Sequence, residues 1–386
     1  MWSTQRERSG LSVTDNLNSN AGRLRIDYSH MRRRATGIER ITRELFSPEV
    51  LSPLPVDTVA ASNGRLGVVL AQNVALPLNA LRHKNDVFIF PGFPPSPYFA
   101  LARRERTVMY VHDVFLLTRR SELNPAARFY FAPLFSLAVR SLKYFLVNSE
   151  YTASTLRPFC RRDAEIMMCR PTVRNVFDLS VGDRATRTAT PSSLTVAAIG
   201  TIEPRKNFRA AADICKALAA RLDIPVNLHI IGREGWGPDA AWLSQQPHVK
   251  LLGPLPDREV RAVIEASDLF MCTSRDEGLG LPLLEAQYAG LPVIAPDMPV
   301  FREVLGNSGL LTDIQDPDAA AAAIVPLFAS ANWRVRCMKD AVSNIARWNA
   351  VAGADHAKAC SFFEALLKLR PNPAAEAAAA AHSSAA

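Results

Sequence analysis

The sequence predicts an α/β protein built from two doubly wound parallel sheets that face each other across a cleft. Two observations carry this. Short, wholly apolar runs alternate with helical patterns, as expected of strands buried on both faces by crossover helices. The alternation is then interrupted by SVGDRATRTATPSS (180–193), a polar, Pro-containing stretch, and starts again beyond it. A length of 386 residues suits two or three domains.

In chain order, residues 1–22 are polar and aperiodic and are expected to be disordered. Residues 23–185 form the first unit. Val87–Phe90, Thr107–Val111 and Tyr144–Val147 read as its buried strands, and PAARFYFAPLFSLAVRSL (125–142) reads as a helix. Residues 186–350 form the second unit. Its strands are expected at Leu194–Ile199, Val226–Ile231, Val249–Leu252, Leu269–Cys272 and Pro292–Ala295. Residues 351–370 read as a C-terminal helix that can return to the first unit, and 371–386, ending in AAEAAAAAHSSAA, as a loose low-complexity tail.

Composition narrows the function classes. Hydrophobic residues make up 48% and charged residues 21%, which excludes wholesale disorder. The six cysteines form neither CxxC nor any zinc spacing and read as reduced thiols of a cytoplasmic protein. No apolar run approaches the length of a membrane span, and the N-terminus is unlike a secretory signal. Net charge is uneven: residues 1–190 hold 27 basic and 16 acidic side chains, and residues 191–386 hold 18 and 21. A basic first half suits a membrane surface, a nucleic acid or a phosphorylated ligand, or reflects Arg-rich composition alone.

The densest signal is TSRDEGLGLPLLEAQYAGLPVIAP (273–296). A buried strand ends in a polar loop with Glu277, Gly278, Leu279, Gly280 and Leu281, and a helix with Glu285 follows. Glycines let backbone approach a ligand closely, and free N–H groups at a helix start favour anions. Two carboxylates eight residues apart can accept hydrogen bonds from the hydroxyls of a sugar and a ribose. Either Glu alone is more simply read as a helix-capping or solvated carboxylate; the pair in this setting favours a site. The second signal is VAAIGTIEPRKNFRAAADI (196–214), in which a strand runs into Gly200 and Thr201 and a loop tip with Arg205 and Lys206. A forked guanidinium and a point-charge ammonium can neutralise a diphosphate without metal. By themselves, adjacent basic residues on a loop are commonly just solvated.

EPRKN, IIGREGWG (230–237) and EGLGLPLLEA with its Glu-x7-Glu spacing resemble the C-terminal domain of family 4 glycosyltransferases, retaining enzymes of the GT-B fold. TGIERITREL (36–45), YVHDVF (110–115), VNSEYTASTL (147–156) and FREVLGNSGLL (301–311) are similar to further family segments, so that the resemblance covers roughly residues 22–370. It implies that Glu277 contacts donor-sugar hydroxyls and Glu285 the nucleotide ribose. Backbone N–H groups of Gly278 to Leu281 would hold phosphates and sugar. Arg205 and Lys206 would stabilise the leaving diphosphate, and Gly200 and Thr201 would lie against the donor, with Thr201 standing where many relatives carry Arg. His112 would position the donor sugar; a lone His is otherwise more often structural. Gly37 would belong to the glycine-containing loop that approaches phosphates and acceptor.

The same resemblance implies sugar transfer from a nucleotide sugar, GDP-mannose ahead of a UDP-sugar, to a saccharide or polyprenyl-diphosphate-linked acceptor. The setting would be polysaccharide or lipopolysaccharide assembly at the cytoplasmic face of a membrane. No cleft carboxylate in the first unit stands out as a nucleophile, which favours same-face departure and attack. No DxD-like motif is placed to bind a metal; neither metal nor cofactor is expected beyond the donor. Arg32, Arg33, Arg34, Arg103, Arg104, Arg106, Arg119 and Arg120, with the segment 125–142, make a basic surface able to rest on anionic lipid, or the segment is simply a core-facing helix. A sugar-nucleotide epimerase on the same fold and a basic nucleic-acid-binding protein are the competing readings. The second leaves EGLGLPLLEA unexplained, and no nucleic acid is expected.

Overall fold

The computed structural model describes residues 22–31, 37–61, 64–182, 192–328 and 332–369. Nearly all of the two terminal segments expected to be disordered, most of the linker, and Arg32, Arg33 and Arg34 lie outside the described residues. Twelve strands are described. β1 (Leu24–Tyr28), β2 (Val56–Ala60), β3 (Val87–Phe90), β4 (Thr107–Val111), β5 (Tyr144–Val147) and β6 (Glu165–Met168) form one parallel sheet in the order β2-β1-β3-β4-β5-β6. β7 (Leu194–Ile199), β8 (Val226–Ile231), β9 (Val249–Gly253), β10 (Leu269–Met271), β11 (Val293–Pro296) and β12 (Leu310–Thr312) form the second, in the order β12-β11-β10-β7-β8-β9. This is the GT-B arrangement.

β3, β4 and β5 are buried along their whole length, which is why their sequences are unbroken apolar runs. β1 is equally central but reads as LRIDY. Its polar residues are matched inside the fold: Arg25 pairs with Asp86 and Asp57, and Asp27 accepts from the Ser29 N–H at 2.8 Å and from Gln72 at 3.1 Å. Strand order reverses between β1 and β3 in the first sheet and between β7 and β10 in the second. Loops leaving the carboxyl ends of strands at such reversals are where ligands of open α/β sheets bind.

The segment 125–142 divides: Ala127–Phe131 buries no residue and exposes Phe129 and Tyr130, and the helix that follows faces the core. After a wide turn (Ala127–Phe131), the helix Ala132–Ser141 buries Ala132, Phe135, Ala138 and Val139. Three arginines expected on a basic surface are engaged elsewhere. Arg103 donates to the Lys84 carbonyl at 2.8 Å, Arg106 to the Leu366 carbonyl at 2.7 Å, and Arg119 spans the cleft to Asp276 at 3.1 Å. Each guanidinium satisfies carbonyl or carboxylate groups that burial would otherwise leave unpaired.

The helix Trp333–Lys368 runs through residue 350 without a break, so the segment 351–370 is its second half and not a separate element. Trp333 packs on Phe328 in the second unit. Asn344 bonds Gln287 at 2.9 Å, and Trp348 donates to the Pro171 carbonyl at 2.9 Å. Arg170 of the first unit pairs with Asp355 at 2.6 Å, and Phe362 packs on Tyr144 of β5. One rod is thus seated in both units.

Candidate active site

Two loops leave the second sheet at its order reversal, one after β7 and one after β10. The first makes a single tight turn at Pro204–Lys206 and leaves it through Asn207, whose φ of 52° is left-handed. The second contains Thr273 to Gly280. Cross-links fix them together: Arg275 N–H donates to the Arg205 carbonyl at 2.8 Å, and Thr273 Oγ1 to the carbonyls of Lys206 at 3.1 Å and Asn207 at 3.0 Å. Arg205 and Lys206 are therefore held on backbone clamped from behind.

Their charges converge on Glu277. Arg205 Nη1 lies 3.1 Å from Glu277 Oε2, Lys206 Nζ pairs with Oε1, and Ser274 Oγ donates to Oε1 at 2.7 Å. Burial pushes the Glu277 carboxyl up, but the two cations and their hydrogen bonds outweigh it and hold the group at about 2. Arg205 also donates to Glu203 Oε1 at 2.6 Å and to the Asp276 carbonyl at 2.9 Å, and lies over the Phe115 ring at 4.5 Å. Burial lowers its pKa, yet Glu277, Glu203 and Asp113 together raise it above the ordinary arginine value. Gly200, at the end of β7, lies against the Lys206 stem: a Cβ there would approach Lys206 Cε to 3.2 Å.

The first unit meets this cluster through the loop after β4. His112 Nε2 lies 2.7 Å from the Pro91 carbonyl, and the ring packs edge-on against Tyr110. A carbonyl only accepts, so Nε2 carries the proton. Burial lowers the imidazole pKa to about 4 despite that bond, so the ring is neutral and Nδ1 keeps its lone pair. Asp113 accepts the Phe115 N–H at 3.1 Å. Burial raises its carboxyl, Arg205 pulls it down in part, and the result is about 6. A cavity of about 320 Å³ opens beside these groups, lined among others by Phe93, His112, Asp113, Phe131, Arg205 and Trp236.

The remaining expected residues are placed differently. Gly278 faces the first unit: a Cβ on it would stand 1.8 Å from the His112 carbonyl, and its own carbonyl accepts from Ser149 Oγ at 2.6 Å and Thr152 Oγ1 at 3.2 Å. The backbone approach that demands glycine there is to the opposite unit, not to a ligand. Gly280 adopts φ 89°, turning the chain into the helix Leu281–Ala286, while Leu279 and Leu281 are buried. Glu285 is buried on that helix and pairs with Arg40 of the first unit. Burial raises its pKa, and Arg40 offsets this only in part. It does not touch the Arg205–Lys206–Glu277 group. Gly37 is the first residue of the helix Gly37–Phe46, and the loop residues 32–36 before it lie outside the described residues. Thr201 Oγ1 accepts only a long contact from Arg233, 3.4 Å.

Sequence reasoning passed over Arg40, Asp113, Ser149 and Ser274. All but Ser274 lie inside segments quoted above for their similarity to known patterns. Asp113 is a carboxylate of the first unit that lines the cavity; burial and the neighbouring Arg205 mark it out, and neither is visible in spacing. Among the described residues no three His, Cys, Asp or Glu side chains gather as a metal site, and no helix is long and apolar enough to cross a membrane.

Comparison with known proteins bears on the fold and on the second unit. Residues 193–330 match the family model "Glycosyl transferases group 1". The O-antigen chain mannosyltransferase B of Escherichia coli is 33% identical over 141 residues, 35% of this chain and 37% of that protein. A D-inositol 3-phosphate glycosyltransferase of Corynebacterium glutamicum is 33% identical over 164 residues, 39% of this chain and 38% of its own. The chain thus spans well under half the length of these relatives. Among solved structures, sucrose-phosphate synthase from Thermosynechococcus elongatus superposes with a TM-score of 0.69 at 15% identity, covering 89% of this chain and all of that one. WaaG, a glycosyltransferase involved in lipopolysaccharide biosynthesis, gives 0.61 at 14% over 88% and 99%. Anabaena HepE in complex with UDP and glucose gives 0.59 at 17% over 88% and 100%. The β7 and β10 loops that clamp Glu277 lie within the matched segment, and residues 193–330 are a group 1 glycosyltransferase domain carried in a GT-B fold.

Proposed function

We propose that the protein is a retaining glycosyltransferase that moves a sugar, mannose from GDP-mannose, to a saccharide acceptor carried on a lipid. The observation that carries this is the grip of Arg205 and Lys206 on Glu277 at the strand-order reversal, facing the neutral His112. A diphosphate entering the cleft competes with Glu277 for the same N–H donors. Once displaced from them, the carboxylate is free to accept hydrogen bonds from sugar hydroxyls, and His112 Nδ1 offers a further acceptor. Arg205 and Lys206 then face the charge that grows on the leaving nucleoside diphosphate, where fixed donors lower the barrier most. Two cations in place support transfer without a divalent ion. Glu285 takes the ribose diol by exchanging its bond to Arg40.

Retention follows from departure and attack on one face, the leaving phosphate accepting the acceptor's proton. The mannose assignment draws on the mannosyltransferases among the relatives. A UDP-sugar is the second reading, favoured by the UDP bound in the HepE structure. The setting we assign is polysaccharide or lipopolysaccharide assembly on the cytoplasmic face of a membrane, consistent with six free cysteines.

Thermal unfolding with a panel of nucleotide sugars tests the donor: GDP-mannose should raise the wild-type Tm, and Lys206→Ala should abolish the shift. In turnover, Lys206→Ala and Glu285→Ala should each lower kcat/KM by roughly two to three powers of ten, the scale of one preorganised charged contact. Near-normal turnover in either variant removes that residue from the site. Unchanged rates in chelator are expected, and loss of turnover restored by Mn²⁺ overturns the metal-free reading.

A further inference from the structure

The helices on one face of the first sheet present an outer surface unlike that of a water-facing helix. Arg65–Leu70, Ala71–Ala75 and Leu76–Arg82 run on as one helical stretch. Its inner side is ordinary: Leu76 and Ala80 pack with Phe88, Phe90 and Phe99. Its outer side carries Val69, Leu70, Val74, Leu78 and Leu81, which are 38, 51, 47, 45 and 58% exposed. No residue from Leu66 to Leu81 is charged.

The three polar amides of the stretch each donate within the fold, and Asn73 alone of them is exposed. Gln72 is buried and donates to Asp27 at 3.1 Å, while Asn73 and Asn79 donate to the carbonyls of Val69 at 2.9 Å and Ala75 at 3.2 Å on their own helix. The neighbouring helices of the layer add exposed Leu101, Phe129 and Tyr130. A surface helix normally turns polar residues outward, and an apolar patch of this extent marks a contact surface.

Charge identifies the partner. From Thr58 to Arg104 the single acidic residue is Asp86, and it is buried against Arg25. The stretch ends in exposed Arg82, His83 and Lys84. From Leu123 to Ser149 there is again no acid, but Arg128, Arg140 and Lys143. Lys143 is partnered by Glu105 and Glu165 at 3.6 and 3.7 Å, but the strip 66–81 itself carries no acid and ends in Arg82, His83 and Lys84, and an apolar strip closed by cations complements a polyanionic surface with an apolar interior.

We propose that this face docks on an anionic lipid bilayer, with Val74, Leu78 and Leu81 entering the headgroup–acyl boundary and Arg82 and Lys84 on the headgroups. The proposal rests on the lipid-surface part of the function above and centres the contact on the helix 65–82, with Phe129 and Tyr130 of the segment 125–142 beside it. Its test reads binding without turnover, so it fails or succeeds separately from sugar transfer.

The full chain is floated through a sucrose gradient with vesicles of phosphatidylethanolamine and phosphatidylglycerol (3:1), and in parallel with phosphatidylcholine alone. The wild type should float with the anionic vesicles and at least about tenfold less with the neutral ones. V74E/L78E/L81E should stay at the bottom. R82Q/K84Q should bind roughly thirtyfold more weakly, about fivefold per lost cation; it keeps the test open if the triple variant misfolds by circular dichroism. A wild type that ignores both vesicles, or variants that float like it, overturns the proposal. So does a dimer in light scattering that V74E/L78E/L81E splits, which gives the face to a second copy of the chain.

Discussion

Glu277 and Asp113 share one cleft and carry opposite electrostatic signs. Glu277 is held at about 2, below its unfolded value, so its ionised form stabilises the fold above pH 4.5 and that contribution is lost as pH falls through about 2. Asp113 is raised to about 6, so its ionisation destabilises the fold as pH rises from 3.8 through 6. At pH 7 Glu277→Gln should therefore cost roughly 3 kcal/mol, while Asp113→Asn should stabilise by a similar amount, the two values following from about 1.4 kcal/mol per pK unit. Urea titrations at pH 7 and pH 4 check both: the gain from Asp113→Asn should vanish at pH 4, where the wild-type carboxyl is already neutral. Asp113 lines the cavity, so its change of charge should give wild-type turnover a limb near pH 6 that Asp113→Asn lacks. A pH profile that keeps the limb in Asp113→Asn assigns it to another group. Arg205, Lys206 and Glu277 were legible because each sits in a dense strand–loop–helix pattern. Asp113 was not, because what distinguishes it is the removal of water around it.

Elements were legible where both faces of a strand are buried. β3, β4, β5, β7 and β8 coincide with their expected ranges residue for residue. β1 escaped because its polar residues find partners distant in sequence, Arg25 with Asp86 and Asp27 with Gln72. β2 and β6 lie at sheet edges and read as mixed sequence, and β12 is three residues long. The loop after β10 was legible in composition but not in direction: its first glycine serves the seam between units, where the His112 carbonyl leaves no room for a Cβ. Gly278→Ala should force the units apart. The expected readouts are a larger radius of gyration in small-angle scattering and a kcat/KM lowered by about a hundredfold, the cost of misplacing reacting groups by an ångström. Ser149→Ala, which removes one bond to the same loop and adds no bulk, should have a much smaller effect. A Gly278→Ala protein as compact and active as wild type contradicts this account of the seam.

At the scale of the whole molecule, two neutral histidines tie stability to acidity. His30 and His112 are both lowered to about 4, burial being the main cause, and their proximity adds to it for His30. The unfolded chain takes up these protons first, so the fold should lose about 1.4 kcal/mol per histidine per pH unit from 6.5 down toward 4. Comparing the pH slopes of wild type and His30→Asn/His112→Asn isolates this loss from that of the carboxylates. The two-unit architecture was legible from the restart of the strand series, but not how the units are joined. The helix Trp333–Lys368 carries no change of pattern where it passes from one to the other. A single stiff rod anchored at both ends leaves the lobes no freedom to separate along its length. Any opening of the cleft is then guided into a tilt about that rod, a jaw on a fixed spindle, and the contacts that grip the spindle limit how wide it swings.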